Sequence, residues 1–338
     1  MRSRATYFAP CLVSALILFS VYHCFAQSSV PIDAPSSTKA TPNDMVDALH
    51  SAFGNHHVRA VHAKGVILTG DFVPSPQARS ITKAKQFQSG KIPVTFRFSD
   101  FTGIPDISDL DGNGMPRGMA VRFHLANEMY SDIVCHSFNG FPVPTTDDFR
   151  DFLMAIGKSS PDSPHPNAIE RYLEAHPVAK TFVTTQKPPS ESYVTLSYFG
   201  VNAFKFTNLK GNTRFIRYQL IPDAGEHFLT KEDLAKAGPN YLSEEIKERI
   251  SKGVAGFKLY AQVAEKGDKI EDPSSVWPKE RKLVLLGSFT IREYGDNSDQ
   301  AHKKLAFNPG NVVDGINSAD PMVTDRKGAY PVSFDQRQ

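Results

Sequence analysis

The feature that most constrains the fold of this chain is a series of short apolar runs, several of which alternate apolar and polar residues at period two. They occupy residues 94–98, 119–125, 193–198, 204–206, 215–221, 257–263 and 283–291, with a further run at 66–69. Consecutive side chains of a strand point to opposite faces, so alternation of this kind marks a sheet with one buried face. Seven or eight such strands suggest a closed antiparallel barrel. Helical signals fall between groups of strands. Asn43 precedes Met45, Val46, Leu49 and Phe53 at helical spacing, and Gly54 ends that run. Thr146-Asp147-Asp148 opens a run through Phe149, Phe152, Leu153 and Ile156, and Asn167 opens residues 169–173. Thr230-Lys231-Glu232-Asp233 has the form of a capping box, and Ser243-Glu244-Glu245 leads to Ile250. The expected class is α+β: a barrel with inserted and flanking α-helices. No internal repeat or composition break divides residues 43–338, which read as one domain.

Ahead of that domain, Arg2 and Arg4 precede an apolar stretch over 8–25, and Cys24-Phe25-Ala26 places small residues at −3 and −1 of a cleavage site. Residues 1–26 therefore read as a secretory signal peptide, with export to the periplasm as the expectation and an uncleaved anchor as the competing reading. Residues 27–42 are rich in Ser, Thr and Pro and read as a flexible linker. Of three cysteines, Cys11 and Cys24 leave with the signal, so the mature chain keeps Cys135 and forms no internal disulfide. A formal net charge of +2 with 22% charged residues gives no nucleic-acid stripe. Stable membrane insertion is not expected once the signal is cleaved, and homo-oligomerisation is left open.

Two distant segments carry residue types suited to chemistry. His62 stands three residues after Arg59 in Arg59-Ala60-Val61-His62-Ala63-Lys64-Gly65, and Asp320, Arg326, Tyr330 and Arg337 follow one another at spacings of six, four and seven residues. Between them lie Phe96-Arg97-Phe98-Ser99, Pro116-Arg117-Gly118-Met119-Ala120-Val121-Arg122-Phe123 and Asp132-Ile133-Val134. In order and spacing these segments resemble the distal and proximal segments of the haem catalases, over roughly residues 43–338. The resemblance implies a catalase-like barrel and a haem b whose iron is held by Tyr330, tyrosine being the ligand attributed to catalases. Covalent c-type attachment is excluded, because no Cys-x-x-Cys-His occurs.

The resemblance also implies roles. His62 would be the distal base: cleaving a peroxide requires that one oxygen lose a proton and the other gain one, which a neutral imidazole can mediate. Ser99 would bond the other ring nitrogen and fix the tautomer. Arg326, one helical turn before Tyr330, would stabilise its phenolate, with Asp320 holding Arg326. Pro331 would kink or stop the helix near Tyr330. Arg59, Arg97 and Arg337 would meet the haem propionates, and Phe149 would stack on the haem.

Two departures bear on activity. Catalases follow the Asp-Leu-Val motif with Gly-Asn-Asn, the second asparagine helping to position peroxide. Here Asp132-Ile133-Val134 is followed by Cys135-His136-Ser137, which aligns Ser137 with that asparagine. The sequence given also ends eight residues after Tyr330, without the wrapping segments of large catalases. Both features resemble small exported catalase-related peroxidases, implying reduction of hydrogen peroxide or organic hydroperoxides by a small organic reductant, with weak catalase activity. A haem-dependent hydroperoxide isomerase and a non-catalytic haem carrier or sensor remain alternatives; turnover without added reductant would favour the first, and an intact His62 speaks against the second. Asp109-Leu110-Asp111-Gly112-Asn113-Gly114 mimics the opening of an EF-hand loop, but Pro116 and Ala120 occupy positions eight and twelve, where such a loop needs a bidentate Glu at twelve.

Overall fold

The computed structural model describes residues 39–338; the signal reading of 1–26 and most of the linker reading of 27–42 lie outside the described residues. The first helix, α1 (Pro42–Phe53), is capped by Thr41 and not by Asn43. Thr41 Oγ1 accepts from the Asp44 N–H at 3.2 Å while the Asp44 carboxylate accepts from the Thr41 N–H at 2.8 Å. Pro42 sits where a helix has no use for an N–H, so the pair Thr41 and Pro42 starts the helix before Asn43.

Strands β1 (Gly65–Pro74), β2 (Ile92–Ser99), β3 (Gly118–His124) and β4 (Tyr130–His136) follow. Three helices, α2 (Thr146–Gly157), α3 (Ala168–Ala175) and α4 (Pro177–Thr184), lead to β5 (Tyr198–Thr207) and β6 (Thr213–Pro222). After α5 (Lys231–Leu234) and α6 (Tyr241–Lys252) come β7 (Ala255–Val263), β8 (Leu283–Tyr294), α7 (Asp299–Lys304), β9 (Ile316–Ser318), α8 (Pro321–Lys327) and α9 (Ala329–Asp335). Sequential neighbours among β1–β4 and β5–β8 pair antiparallel, and β8 pairs with β1. A single bridge between His136 of β4 and Phe199 of β5 closes the eight-stranded barrel, and β9 adds to β5. Closure removes the unpaired edge on which a sheet of this size would otherwise aggregate.

The barrel and the helical starts at Asn167 and Thr230 match the sequence reading. The run 193–198 does not form a strand. Tyr193–Thr195 is a 3₁₀ turn capped by Ser192, and the strand begins only at Tyr198. Tyr193, Val194 and Leu196 are all buried, so their apolar character serves an inward-packed plug, pinned by the Tyr198 hydroxyl donating to the Tyr193 carbonyl at 2.8 Å. Strand β4 had little apolar alternation to reveal it, because Asp132 is buried there against Arg122 at 2.8 Å.

Phenylalanines fill the barrel. Phe72 contacts Phe289, Phe123 and Phe87 with ring centroids 4.7, 5.1 and 5.8 Å apart, and none of the four is more than 1% exposed. A second apolar cluster lies outside the barrel, where Met45, Val46 and Leu49 of α1 meet Phe149, Phe152 and Leu153 of α2. Strand β1 shifts register against β8 at Thr69/Gly70, where a Cβ on Gly70 would fall 2.0 Å from the Thr290 carbonyl, so only glycine fits the bulge. Truncation of Phe72 should leave a cavity that the closed sheet cannot collapse around. We expect Phe72→Ala to lose about 3–5 kcal/mol of stability by denaturant titration, and a loss below about 1 kcal/mol would show that this cluster is not the core of the barrel.

Candidate active site

One large cavity lies between strands β3–β5 and helices α1, α2, α8 and α9, with about 1350 Å³ of empty space including its mouth. Its walls are mostly apolar, and it gathers His62, Ser99, Arg59, Arg97, Phe149, Arg326, Tyr330 and Arg337 from segments far apart in sequence.

His62 precedes β1 in a left-handed backbone conformation, φ 57°, uncommon for a residue other than glycine although histidine tolerates it better than most. The Phe101 carbonyl accepts its N–H at 3.0 Å and the Thr102 carbonyl accepts that of Ala63 at 2.9 Å, holding the turn. The ring Nδ1 lies 2.9 Å from the Asp100 carbonyl and 3.1 Å from Ser99 Oγ. A carbonyl can only accept, so Nδ1 carries the proton and Nε2 keeps its lone pair. Ser99 thus shares the orienting task with the Asp100 backbone, a partner invisible in the sequence because any residue type supplies a carbonyl. Gly118 makes room: a Cβ there would stand 2.5 Å from Ser99 Oγ and 2.7 Å from His62 Nδ1. Burial, and then the charge of Arg97, pushes the His62 pKa down to about 3.

Arg59, Arg97 and Arg337 form a cationic cluster at the same cavity. Arg59 donates to the carbonyls of His302, at 3.1 Å, and Leu305; Arg337 donates to those of Lys303 at 3.3 Å and Leu305 at 3.0 Å; Arg97 donates to that of Ala63 at 2.9 Å. Among the described residues no carboxylate lies within ion-pair distance of any of the three, or of Arg326. Burial pulls Arg97 and Arg337 each down to about 10, and Arg59 is held well below the ordinary guanidinium value by burial and then by the charges of Arg97 and Arg337.

Arg326 Nη2 donates to the Tyr330 hydroxyl oxygen at 2.9 Å. The helix breaks at Gly328, before Tyr330, and Pro331 falls within the first turn of α9, where its missing N–H leaves no hydrogen bond unmade. Asp320 does not hold Arg326. It caps α8 by accepting from the Met322 N–H at 2.9 Å and accepts from Asn202 Nδ2 at 2.7 Å.

Ser137 is the one sequence-assigned residue that the fold keeps out of the cavity. Its hydroxyl accepts from the Arg117 N–H at 2.9 Å and its own N–H donates to the Arg117 carbonyl at 2.8 Å, and it is 1% exposed. His136, one residue earlier and the last of β4, lines the cavity together with Val134 and Cys135. The EF-hand-like segment is likewise committed elsewhere: Asp109 pairs with Lys64 at 2.5 Å and accepts from the Leu242 N–H at 2.8 Å.

Residues 50–337 match the family model described as Catalase, and the chain belongs to the catalase family. A catalase-related peroxidase of Synechococcus elongatus is 30% identical over 308 residues, covering 89% of this chain and 90% of that one. A catalase-related peroxidase of Mycolicibacterium paratuberculosis is 30% identical over 302 residues, covering 88% and 95% respectively. In fold the chain superimposes on a fungal catalase with TM-score 0.73 at 24% identity, over 83% of this chain and 59% of that longer one.

His62 and His136 are both held neutral, with His136 also pushed to about 3 by burial and then Arg326. An unfolded histidine binds a proton below about pH 6.5. Between that pH and about 3 the unfolded chain therefore carries protons that the folded chain lacks, and stability must fall as pH falls. We expect each of the two to contribute a slope of about 1.4 kcal/mol per pH unit in this window. Denaturant midpoints measured from pH 6.5 to 5 should flatten by one proton in His62→Phe; an unchanged slope would contradict the burial of a neutral imidazole.

Proposed function

We propose that this chain is a haem b peroxidase that reduces hydrogen peroxide or an organic hydroperoxide at the expense of a small organic reductant. The observation that carries the proposal is the tautomer of His62: with Nδ1–H tied to the Asp100 carbonyl, Nε2 is left as a base in a cavity that also holds the Arg326–Tyr330 pair. The names of the two 30%-identical relatives support the same class.

The cavity fits the cofactor in three respects. Arg59, Arg97 and Arg337 would receive the two propionates, which supply the negative charge that the cluster lacks. The phenol oxygen of Tyr330, already accepting from Arg326, would hold the iron as a phenolate. Phe149, buried with its ring 5.0 Å from that of Phe141, would pack against the macrocycle along an apolar wall. When bound, haem would supply the two-electron redox chemistry that reduction of a peroxide requires.

In the overall reaction ROOH and a reductant AH₂ give ROH, water and A, two electrons and two protons passing from AH₂. His62 Nε2 takes the proton from the O–H oxygen of the peroxide and returns it to the other oxygen, which departs as alcohol, or as water when R is hydrogen; His62 ends as it began. Half-buried and depressed to about 3, it remains a free base throughout the neutral range. Weak oxygen evolution can no longer be argued from Ser137, which is turned away from the cavity, and rests on the resemblance to catalase-related peroxidases. Periplasmic export rests on the composition of residues 1–26.

The test is an absorption spectrum of the purified protein followed by peroxide titration with and without an aromatic donor. Donor oxidation should far outpace oxygen release; oxygen release at the rate of a large catalase, or consumption of a hydroperoxide with no donor, would overturn the peroxidase assignment. His62→Ala should keep haem yet lose about 10²–10⁴-fold in the rate of peroxide cleavage. Tyr330→Phe should lose haem or change its spectrum, and a fully loaded protein with an unaltered spectrum would remove Tyr330 from the iron.

A further inference from the structure

Arg59, Arg97 and Arg337 are all tied to one short segment, residues 302–305. Arg59 donates to the carbonyls of His302 and Leu305, and Arg337 to those of Lys303 and Leu305. Arg97, 4% exposed, meets the segment through a side chain instead. Its Nε lies 3.5 Å from His302 Nδ1, a long hydrogen bond, while its Nη2 donates to the Ala63 carbonyl. The tautomer of His302 is fixed from the other side of the ring. Asn297 donates from Nδ2 to the carbonyls of Ile67 and Gly295, each at 3.0 Å, and its Oδ1 accepts the Ile67 N–H at 2.7 Å. Strand β1 therefore decides which end of the amide is oxygen, and an oxygen can only accept. His302 Nε2, 3.3 Å from that Oδ1, must carry the ring proton, which leaves the Nδ1 lone pair toward Arg97. Between the two residues Ser298 caps α7 by accepting from the Ala301 N–H at 3.2 Å, so a single helical turn holds Asn297 and His302 in register.

His302 is not among the residues that line the cavity, so it acts there through Arg97. A carboxylate in its place would hold a guanidinium more strongly, but would also cancel its charge. A neutral imidazole accepts the Nε–H and cancels nothing. Burial, and then the charges of Arg97 and Arg59, pull the His302 pKa down to about 4, and the ring is neutral throughout the neutral range. We propose that His302 is a positioning residue of the anion site: keyed by Asn297, it steadies the Arg97 guanidinium at Nε and leaves its charge and remaining N–H groups to an anionic ligand. The inference rests on the reading of these arginines as the propionate site, and adds the residue that keeps one of them both aimed and charged. The same logic covers the other two arginines, whose acceptors on this segment are backbone carbonyls and likewise carry no charge.

Titrating variants of the cofactor-free protein with haem and with its dimethyl ester tests this. Haem alone brings carboxylates to the arginines, while the ester reports whether the cavity is intact, so the quantity to compare is the ratio of ester to haem dissociation constants. His302→Asp places a carboxylate beside Arg97 and should lower that ratio roughly tenfold to a hundredfold, the range of one hydrogen bond between charged partners. His302→Gln, whose amide oxygen accepts without charge, should keep the ratio within about threefold of the wild type. An unchanged ratio in His302→Asp would overturn the role of His302, even if both affinities fell together. A fall in His302→Gln as large as in His302→Asp would overturn it as well, because charge would then not be what matters. Where the aspartate variant takes up neither ligand, His302→Leu decides: it removes the acceptor and adds no charge, so its ratio should fall, and a wild-type ratio there would overturn the role. A wild-type protein that binds haem and ester alike would overturn the propionate reading itself.

Discussion

Four guanidinium groups converge on one largely apolar cavity, and among the described residues no carboxylate lies within ion-pair distance of them. Arg59, Arg97, Arg326 and Arg337 satisfy their N–H groups on backbone carbonyls and on the Tyr330 oxygen. Taking a charge out of water costs several kcal/mol even after relaxation, and like charges at close range add to that cost. Buried Arg117, by contrast, pairs with the carboxylate of Asp100. The cluster is intelligible as half of an ion pair whose other half is a dianionic ligand.

The rest of the architecture serves to bring that cluster and the histidines to one place. Closure of the barrel at His136 and Phe199 fixes the end of β4, while the left-handed turn at His62 lays its ring over Gly118, where any side chain would collide. The Asp100–Arg117 pair lies behind this turn, and the same Asp100 supplies the carbonyl that sets the His62 tautomer. Helix α1 covers the cavity with its apolar face, so that capping by Thr41, packing of Met45 and enclosure of the site are linked.

Much of this was legible in the sequence. Period-two alternation revealed the barrel because its strands bury one face in a phenylalanine core, and the resemblance to the haem catalases pointed to His62, Arg326 and Tyr330, which the fold brings to one cavity. Two kinds of feature were hidden. Backbone partners such as the Asp100 carbonyl have no residue signature. The segment after Asp132-Ile133-Val134 was hidden too: the resemblance aligned Ser137 with the peroxide-positioning asparagine, but Ser137 lies past the end of β4, tied to Arg117, and the polar residue there that lines the cavity is His136. The run at 193–198 erred in the other direction, since apolar residues that plug a barrel look like those that line it.

The central claim is that the arginine cluster exists to receive a dianion, and it is tested most directly by comparing the binding of haem with that of its dimethyl ester, which keeps the iron and macrocycle but lacks both carboxylates. Titration of the cofactor-free protein should show one haem per chain and an ester affinity weaker by at least roughly a hundredfold, the loss expected for two charge-assisted contacts. Equal affinities would show that Arg59, Arg97 and Arg337 do not hold the propionates.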